Sequence, residues 1–128
     1  MAHRRVLAIG AHPDDIELGC FGALARFHSG GAEIAFLILT DGEDGGPAPE
    51  RRQETIDAAA LIDAEVTFGA LPSAEVYLRP RDAIASIERI HAAFNPDVVI
   101  THTRTDQHQD HRAVAEATFS ATTARSSM

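Results

Sequence analysis

The sequence has one cysteine, one tyrosine and no tryptophan, and aromatic residues fill only 5% of its 128 positions. The lone thiol, Cys20, excludes an intrachain disulfide framework and fits a reducing, cytoplasmic compartment. With so few rings the core must be aliphatic, and the 45% apolar content supplies it. Positive charge is also scarce: Lys plus Arg total 11 against 19 Asp plus Glu, a net charge of −8 with His neutral. That balance argues against a nucleic-acid binder, which needs a basic face. No basic amphipathic stretch marks a membrane surface, and no apolar run nears the roughly 20 residues of a membrane span. Arg4 and Arg5 precede an apolar run, but it is too short for a signal-peptide core and leads into Asp14 and Asp15. The length suits one domain covering residues 1–128. Histidine, by contrast, is plentiful, with seven residues, and their placement carries the functional reading.

No internal repeat or low-complexity linker breaks the chain. Strand-like apolar runs alternate with helix-like stretches. Val6 to Ile9 reads as a strand buried on both faces. Ile16 to His28 then reads as a helix stopped by Gly30 and Gly31. Strands are expected at Glu33 to Leu39, Glu65 to Gly69 and Asp97 to Thr101. Helices are expected at Glu50 to Ile62, Asp82 to Phe94 and from His111 onward, and Pro72 to Leu78 reads as a loop with a short extended piece. The alternation predicts an α/β fold: a Rossmann-like, doubly wound, mostly parallel sheet in three α/β/α layers. The expected strand order is 3-2-1-4, with ligands binding where the winding reverses between strands 1 and 4. Two polar clusters follow those strands: His12-Pro-Asp-Asp15 and His108-Gln-Asp-His111. A third, Thr40-Asp-Gly-Glu43, follows strand 2 on the same rim.

His12 and Asp15, three apart in a turn that opens a helix, can bend toward one point. One histidine from the strand-4 loop, His108 or His111, completes two imidazoles and a carboxylate. That set suits a catalytic zinc or another divalent metal with open positions. Asp14 is then placed to take a proton from water, and the other loop histidine to donate one or to stabilise an oxyanion. Each cluster has an ordinary reading beside this one. His-Pro pairs are common in turns, and Asp-Asp is a routine helix N-cap. His3, His28 and His91 read as surface residues, His102 as a neighbour of the site or a satisfied polar side chain. Glu17 and Glu43 read as surface charges, and Cys20 as a small apolar filler. A nucleotide-binding reading is weaker, because the first turn lacks G-x-G-x-x-G and its carboxylates would repel phosphate.

The run Gly10-Ala-His-Pro-Asp-Asp-Ile-Glu-Leu-Gly-Cys-Phe-Gly22 resembles the signature of the PIG-L/LmbE-type N-acetylglucosaminyl deacetylases. Thr40-Asp-Gly-Glu-Asp-Gly-Gly46 resembles that family's second loop, and Arg51-Arg-Gln-Glu54 its arginine-bearing helix start. Asp106-Gln-His-Gln-Asp-His-Arg112 is similar to its closing metal motif, with Gln109 where Pro is frequent. The resemblance implies a zinc-dependent amide hydrolase that deacetylates N-acetylglucosamine-type sugars or related small N-acetyl metabolites. It implies His12, Asp15 and His111 as metal ligands and Asp14 as the base. It further implies His108 as general acid or oxyanion partner, Asp110 as its orienting group, and Arg51 or Arg52 as a substrate contact.

Proteins of this family are commonly longer, so the chain is expected to lack their C-terminal part. Val98 to Ile100 reads as a central strand that the order 3-2-1-4 leaves at an edge, which invites pairing and makes a homo-oligomer an expectation. The alternative reading is a catalytically impaired remnant that still binds metal or sugar.

Overall fold

The computed structural model describes residues 4–40, 48–72 and 75–126. The expectations for His3 and for the loop residues 41–47, Glu43 included, lie outside them. The sheet has four parallel strands: β1 (Arg5–Gly10), β2 (Glu33–Thr40), β3 (Glu65–Leu71) and β4 (Val98–Ile100), in the order β3-β2-β1-β4. The expected order is the observed one. β2 is buried at every position after Glu33, as a strand covered on both faces should be.

The period-two alternation of β1 and β2 divides the core. Leu7, Ile9, Ala35, Leu37 and Leu39 face one side and pack with Ala83, Ile87, Val114 and Ala117. Those partners lie on α4 (Pro80–Phe94) and α5 (Gln109–Ser126). Val6, Ala8, Ile34, Phe36 and Ile38 face the other side and pack with Ile16, Leu24 and Ala59. These belong to α1 (Asp15–Gly19), α2 (Phe21–Ser29) and α3 (Ala48–Ala60). The three-layer arrangement follows from that two-sided burial.

Two expectations need correction. The helix expected over 16–28 is two helices, α1 and α2, broken at Cys20 (φ −145°, ψ 13°). The break lets α1 pack against β1 while α2 packs against β2. The segment before α4 holds a 3-10 turn at Val76–Leu78 instead of an extended piece. Pro80 starts α4 with its fixed φ, and Asn95 stops it in the left-handed region (φ 53°).

Close backbone approach explains two glycines. A Cβ on Gly69 would lie 3.0 Å from the Leu39 carbonyl oxygen, beside the register shift where β3 pairs with β2. A Cβ on Gly10 would meet Asp15 Cβ at 3.2 Å and Ile16 Cγ1 at 3.3 Å. The missing side chain at Gly10 therefore lets α1 fold down over the carboxyl end of β1. Among the described residues β4 pairs only with β1, so its other edge carries no strand of those residues. No helix among the described residues is long and apolar enough to cross a membrane.

Candidate metal and active site

The carboxyl ends of β1 and β4 bring their two loops together, as the switch-point rule expects. Thr40 ties the first loop down: its buried hydroxyl and its N–H both donate to the Ala11 carbonyl, at 2.9 and 3.0 Å. Four imidazoles gather there. His108 stacks near His111 (centroids 4.6 Å), His111 stacks on His102 (3.9 Å, interplanar 4°), and His12 meets His108 edge-on at 5.3 Å.

One oxygen, Asp15 Oδ2, lies at the centre. The His12 backbone N–H donates to it at 2.8 Å. His12 Nδ1 stands 3.6 Å away, His111 Nε2 3.2 Å and His102 Nε2 3.4 Å. Burial opposes ionisation of Asp15, but its contacts with His102 and His12, the His12 backbone N–H and the nearby His111 outweigh it. The carboxyl is held far below the usual range and is ionised.

The donor atoms of His12, Asp15 and His111 all lie within 4.8 Å of one another. Zinc bonds of about 2.0–2.2 Å in a tetrahedral centre place donors roughly 3.4 Å apart. The observed 3.2 and 3.6 Å separations from Asp15 Oδ2 match that spacing. The outward nitrogens strengthen the fit. His12 Nε2 pairs with Asp110 Oδ2 at 2.9 Å, and His111 Nδ1 with Asp106 Oδ1 at 3.2 Å. With a proton held on the carboxylate side, each imidazole would turn a lone pair inward, the arrangement that metal-binding histidines require.

Asp14 does not behave as a routine cap. It stands at the N-cap of α1 in the left-handed region (φ 80°) and makes no side-chain capping hydrogen bond. That conformation is uncommon outside Gly, Asn and Asp. It sends consecutive carboxylates apart: Asp15 toward the histidines, Asp14 toward Arg51, whose Nη2 lies 3.4 Å from Asp14 Oδ2. The same nitrogen donates to the Pro13 carbonyl at 3.3 Å. Arg52 turns elsewhere, its guanidinium 5.0 Å from the Phe68 ring. Of the two arginines, Arg51 is the one beside the cluster.

Asp110 is 2% exposed, and its carboxylate differs from the expected orienter of His108. It bonds His12 Nε2 and accepts the Tyr77 N–H at 3.3 Å. What meets His108 is the Asp110 backbone N–H, which donates to Nδ1 at 3.1 Å. The first turn of α5 thus orients His108 with its main chain and His12 with its side chain. Because His108 Nδ1 accepts, the ring proton rests on Nε2.

Sequence reasoning passed over several neighbours. Glu17, read as a surface charge, is half-buried: Thr55 Oγ1 donates to Oε2 at 3.2 Å, and Oε1 is buried without a hydrogen bond. Burial, aided by the Asp14 charge, raises its pKa. Asp106 accepts the His108 N–H at 2.9 Å; that bond and the nearby His111 lower its pKa. His102, left open between two readings, accepts the Ala11 N–H at 3.2 Å and joins the cluster. Burial pushes the Cys20 thiol up, which suits an inert filler. A cavity of about 260 Å³ bordered by Asp15, Ile16, Ile100, His102 and Asp106 opens beside the cluster. A larger one of about 700 Å³, by Arg4, Arg26 and Phe27, lies by the start of β1 and has no part in this chemistry.

A family profile described as PIG-L, GlcNAc-PI de-N-acetylase, matches residues 7–122. The chain is 37% identical over 121 residues to the uncharacterized deacetylase YaiS of Escherichia coli K12, covering 89% of this chain and 65% of that protein. It is 28% identical over 102 residues to the diacetylchitobiose deacetylase of Thermococcus kodakarensis, covering 79% of this chain and 33% of that one. Among solved structures, the conserved protein TT1542 of Thermus thermophilus superposes with a TM-score of 0.81 at 30% identity. That match covers 92% of this chain and 55% of the other. The chain thus spans less than two thirds of the length of these relatives. With the profile matched over nearly its whole length, on the fold and loops described above, the chain belongs to the PIG-L, GlcNAc-PI de-N-acetylase, family.

Proposed function

We propose that this chain is a zinc-dependent N-deacetylase, or one using another divalent metal, acting on N-acetylglucosamine-type sugars or related small N-acetyl metabolites. The observation that carries the reading is the convergence of His12, Asp15 and His111 donor atoms, with each histidine's other nitrogen facing a carboxylate. His12 Nδ1, Asp15 Oδ2 and His111 Nε2 would hold the ion. Bound there, zinc supplies a Lewis acid and lowers the pKa of water toward about 7.

Asp14 has the position of the general base: a carboxylate on the rim, next to Asp15 and steadied by Arg51. It takes a proton from the attacking water as the oxygen adds to the amide carbon. His108, exposed at the start of α5 with its proton on Nε2, would donate that N–H as a hydrogen bond to the oxyanion of the tetrahedral adduct, and Asp14 would return its proton to the amine nitrogen as the C–N bond breaks. Acetic acid and a free amine result, and the proton that Asp14 takes from water is the one it passes to the amine. Arg51 borders this space and is the arginine placed to meet substrate oxygens. The substrate class draws on the diacetylchitobiose deacetylase named above. The single cysteine supports a cytoplasmic setting.

A second reading, a metal- or sugar-binding domain without turnover, is favoured by one observation: among the described residues β4 has a single neighbour. Such an open edge also suits a homo-oligomer. Zinc titration together with release of acetate from N-acetylglucosamine and N,N'-diacetylchitobiose separates the readings. One tightly bound ion with acetate release supports the deacetylase. One ion without release from either substrate, or from longer N-acetyl sugars, supports the binding domain. No zinc binding overturns both metal assignments.

A further inference from the structure

We propose that Asp106 is a positioning residue: its carboxylate holds the proton on His111 Nδ1 and so presents the Nε2 lone pair to the metal. This rests on the metal site proposed above. An imidazole that ligates through one nitrogen must carry its proton on the other, and a carboxylate on that proton fixes both tautomer and ring orientation. Asp106 Oδ1 lies 3.2 Å from His111 Nδ1, while His111 Nε2 lies 3.2 Å from Asp15 Oδ2 on the other side of the ring. Two further contacts prevent the pair from drifting. His102 stacks on His111 at 3.9 Å with the rings 4° from parallel, which resists a ring flip. Arg112 Nη1 donates to the Asp106 and Gln107 carbonyls at 2.8 Å each, which holds the backbone that carries Asp106.

His102, Asp106 and His111 also place three donor atoms within 4.8 Å of one another, so a second ion site is the rival reading. The ring geometry speaks against it. Lone pairs lie in the ring planes, and two parallel rings stacked at 3.9 Å direct theirs along parallel planes without converging on one point. The His111 nitrogen on the Asp106 side is, besides, the one that must keep its proton if Nε2 binds metal.

The test is zinc titration of the full chain and of Asp106→Asn and Asp106→Ala. It is paired with 15N chemical shifts of the histidine rings in the zinc-loaded proteins. Removing an outer carboxylate of this kind weakens metal binding by about 10–100-fold. Asp106→Ala should show that loss. Asp106→Asn, which keeps an acceptor but no charge, should fall between it and the unchanged chain, with one ion bound in all three. His111 in the unchanged chain should read as Nδ1–H with Nε2 on the metal. Asp106→Asn leaves the loop its acceptor, so it carries the test if the alanine variant fails to fold. Unchanged affinity in Asp106→Asn, or a His111 protonated on Nε2, overturns the proposal. So does a chain that binds two ions and loses only one in the variants. Failure of the unchanged chain to bind zinc would instead sink the metal site itself.

Discussion

Asp110 and His12 stand 98 residues apart in the chain and share a 2.9 Å hydrogen bond, carboxylate Oδ2 to imidazole Nε2. The carboxylate is almost wholly buried and its other oxygen accepts the Tyr77 N–H. One side chain therefore joins the β1 loop, the 3-10 turn before α4 and the first turn of α5. Asp110→Ala should lower the stability of the metal-free chain by roughly 1–3 kcal/mol, the usual penalty for a buried donor left unpaired. It should also weaken zinc binding by about 10–100-fold by releasing His12. Urea unfolding and zinc titration check the two effects separately. A variant that binds zinc normally would show that His12 is oriented by other contacts.

The base can be separated from the ligands. Asp14→Asn keeps a residue type that tolerates the left-handed conformation seen at φ 80°. It should bind zinc as before while kcat for acetate release drops at least about a hundredfold, the scale of general acid–base catalysis. Full activity in this variant would move the role of base to another group.

The neighbouring arginines should part company. Arg51 touches Asp14 and Pro13, whereas Arg52 lies over Phe68. Arg51→Ala should reduce kcat/KM by about tenfold or more, near 1.4 kcal/mol of transition-state stabilisation. Arg52→Ala should leave kcat/KM nearly unchanged and cost about 0.5–1 kcal/mol of stability through the lost cation–π contact. The reverse pattern in steady-state kinetics would reassign the substrate contact.

Gly10 is a test of close packing. A Cβ there falls 3.2 Å from Asp15 Cβ and 3.3 Å from Ile16 Cγ1. Gly10→Ala should destabilise the chain by about 1–3 kcal/mol, as overpacking does. It should also weaken zinc binding, because Asp15 must shift with its backbone. Equal zinc affinity would show that α1 moves as a unit without disturbing the cluster.

Glu17 sets a pH dependence opposite in sign to that of a salt-bridged carboxylate. Burial, with the Asp14 charge added, raises its pKa above the ordinary 4.5. The folded chain then holds a proton that the unfolded chain has already lost, so stability falls as pH rises from the ordinary value through the raised one. Glu17→Gln should remove that part of the slope in urea unfolding of the metal-free chain as pH rises above the ordinary value of 4.5. Parallel profiles for the two proteins would mean that the carboxyl is more freely solvated than its buried Oε1 indicates.

The strand runs, the alternation with helices and the two polar clusters are local features, and they lead to the sheet order and to the rim where the site lies. A run such as Val98 to Ile100 is readable because apolar patterning and the short reach of parallel connections leave few arrangements. The three-residue spacing of His12 and Asp15 likewise joins them within one turn. What the tertiary structure alone decided are matters of direction. The positive φ of Asp14 sends adjacent carboxylates to different partners, and no residue type imposes that. The packing phase of α3 against β3 points Arg51 at the site and Arg52 away, although the two adjoin in sequence. The pairing of Asp110 with His12 instead of His108, and of Asp106 with His111, arises because α5 begins beside both loops. Neighbours in sequence limit which atoms can meet; only the folded backbone selects the nitrogen that faces a carboxylate and the one left open to a metal.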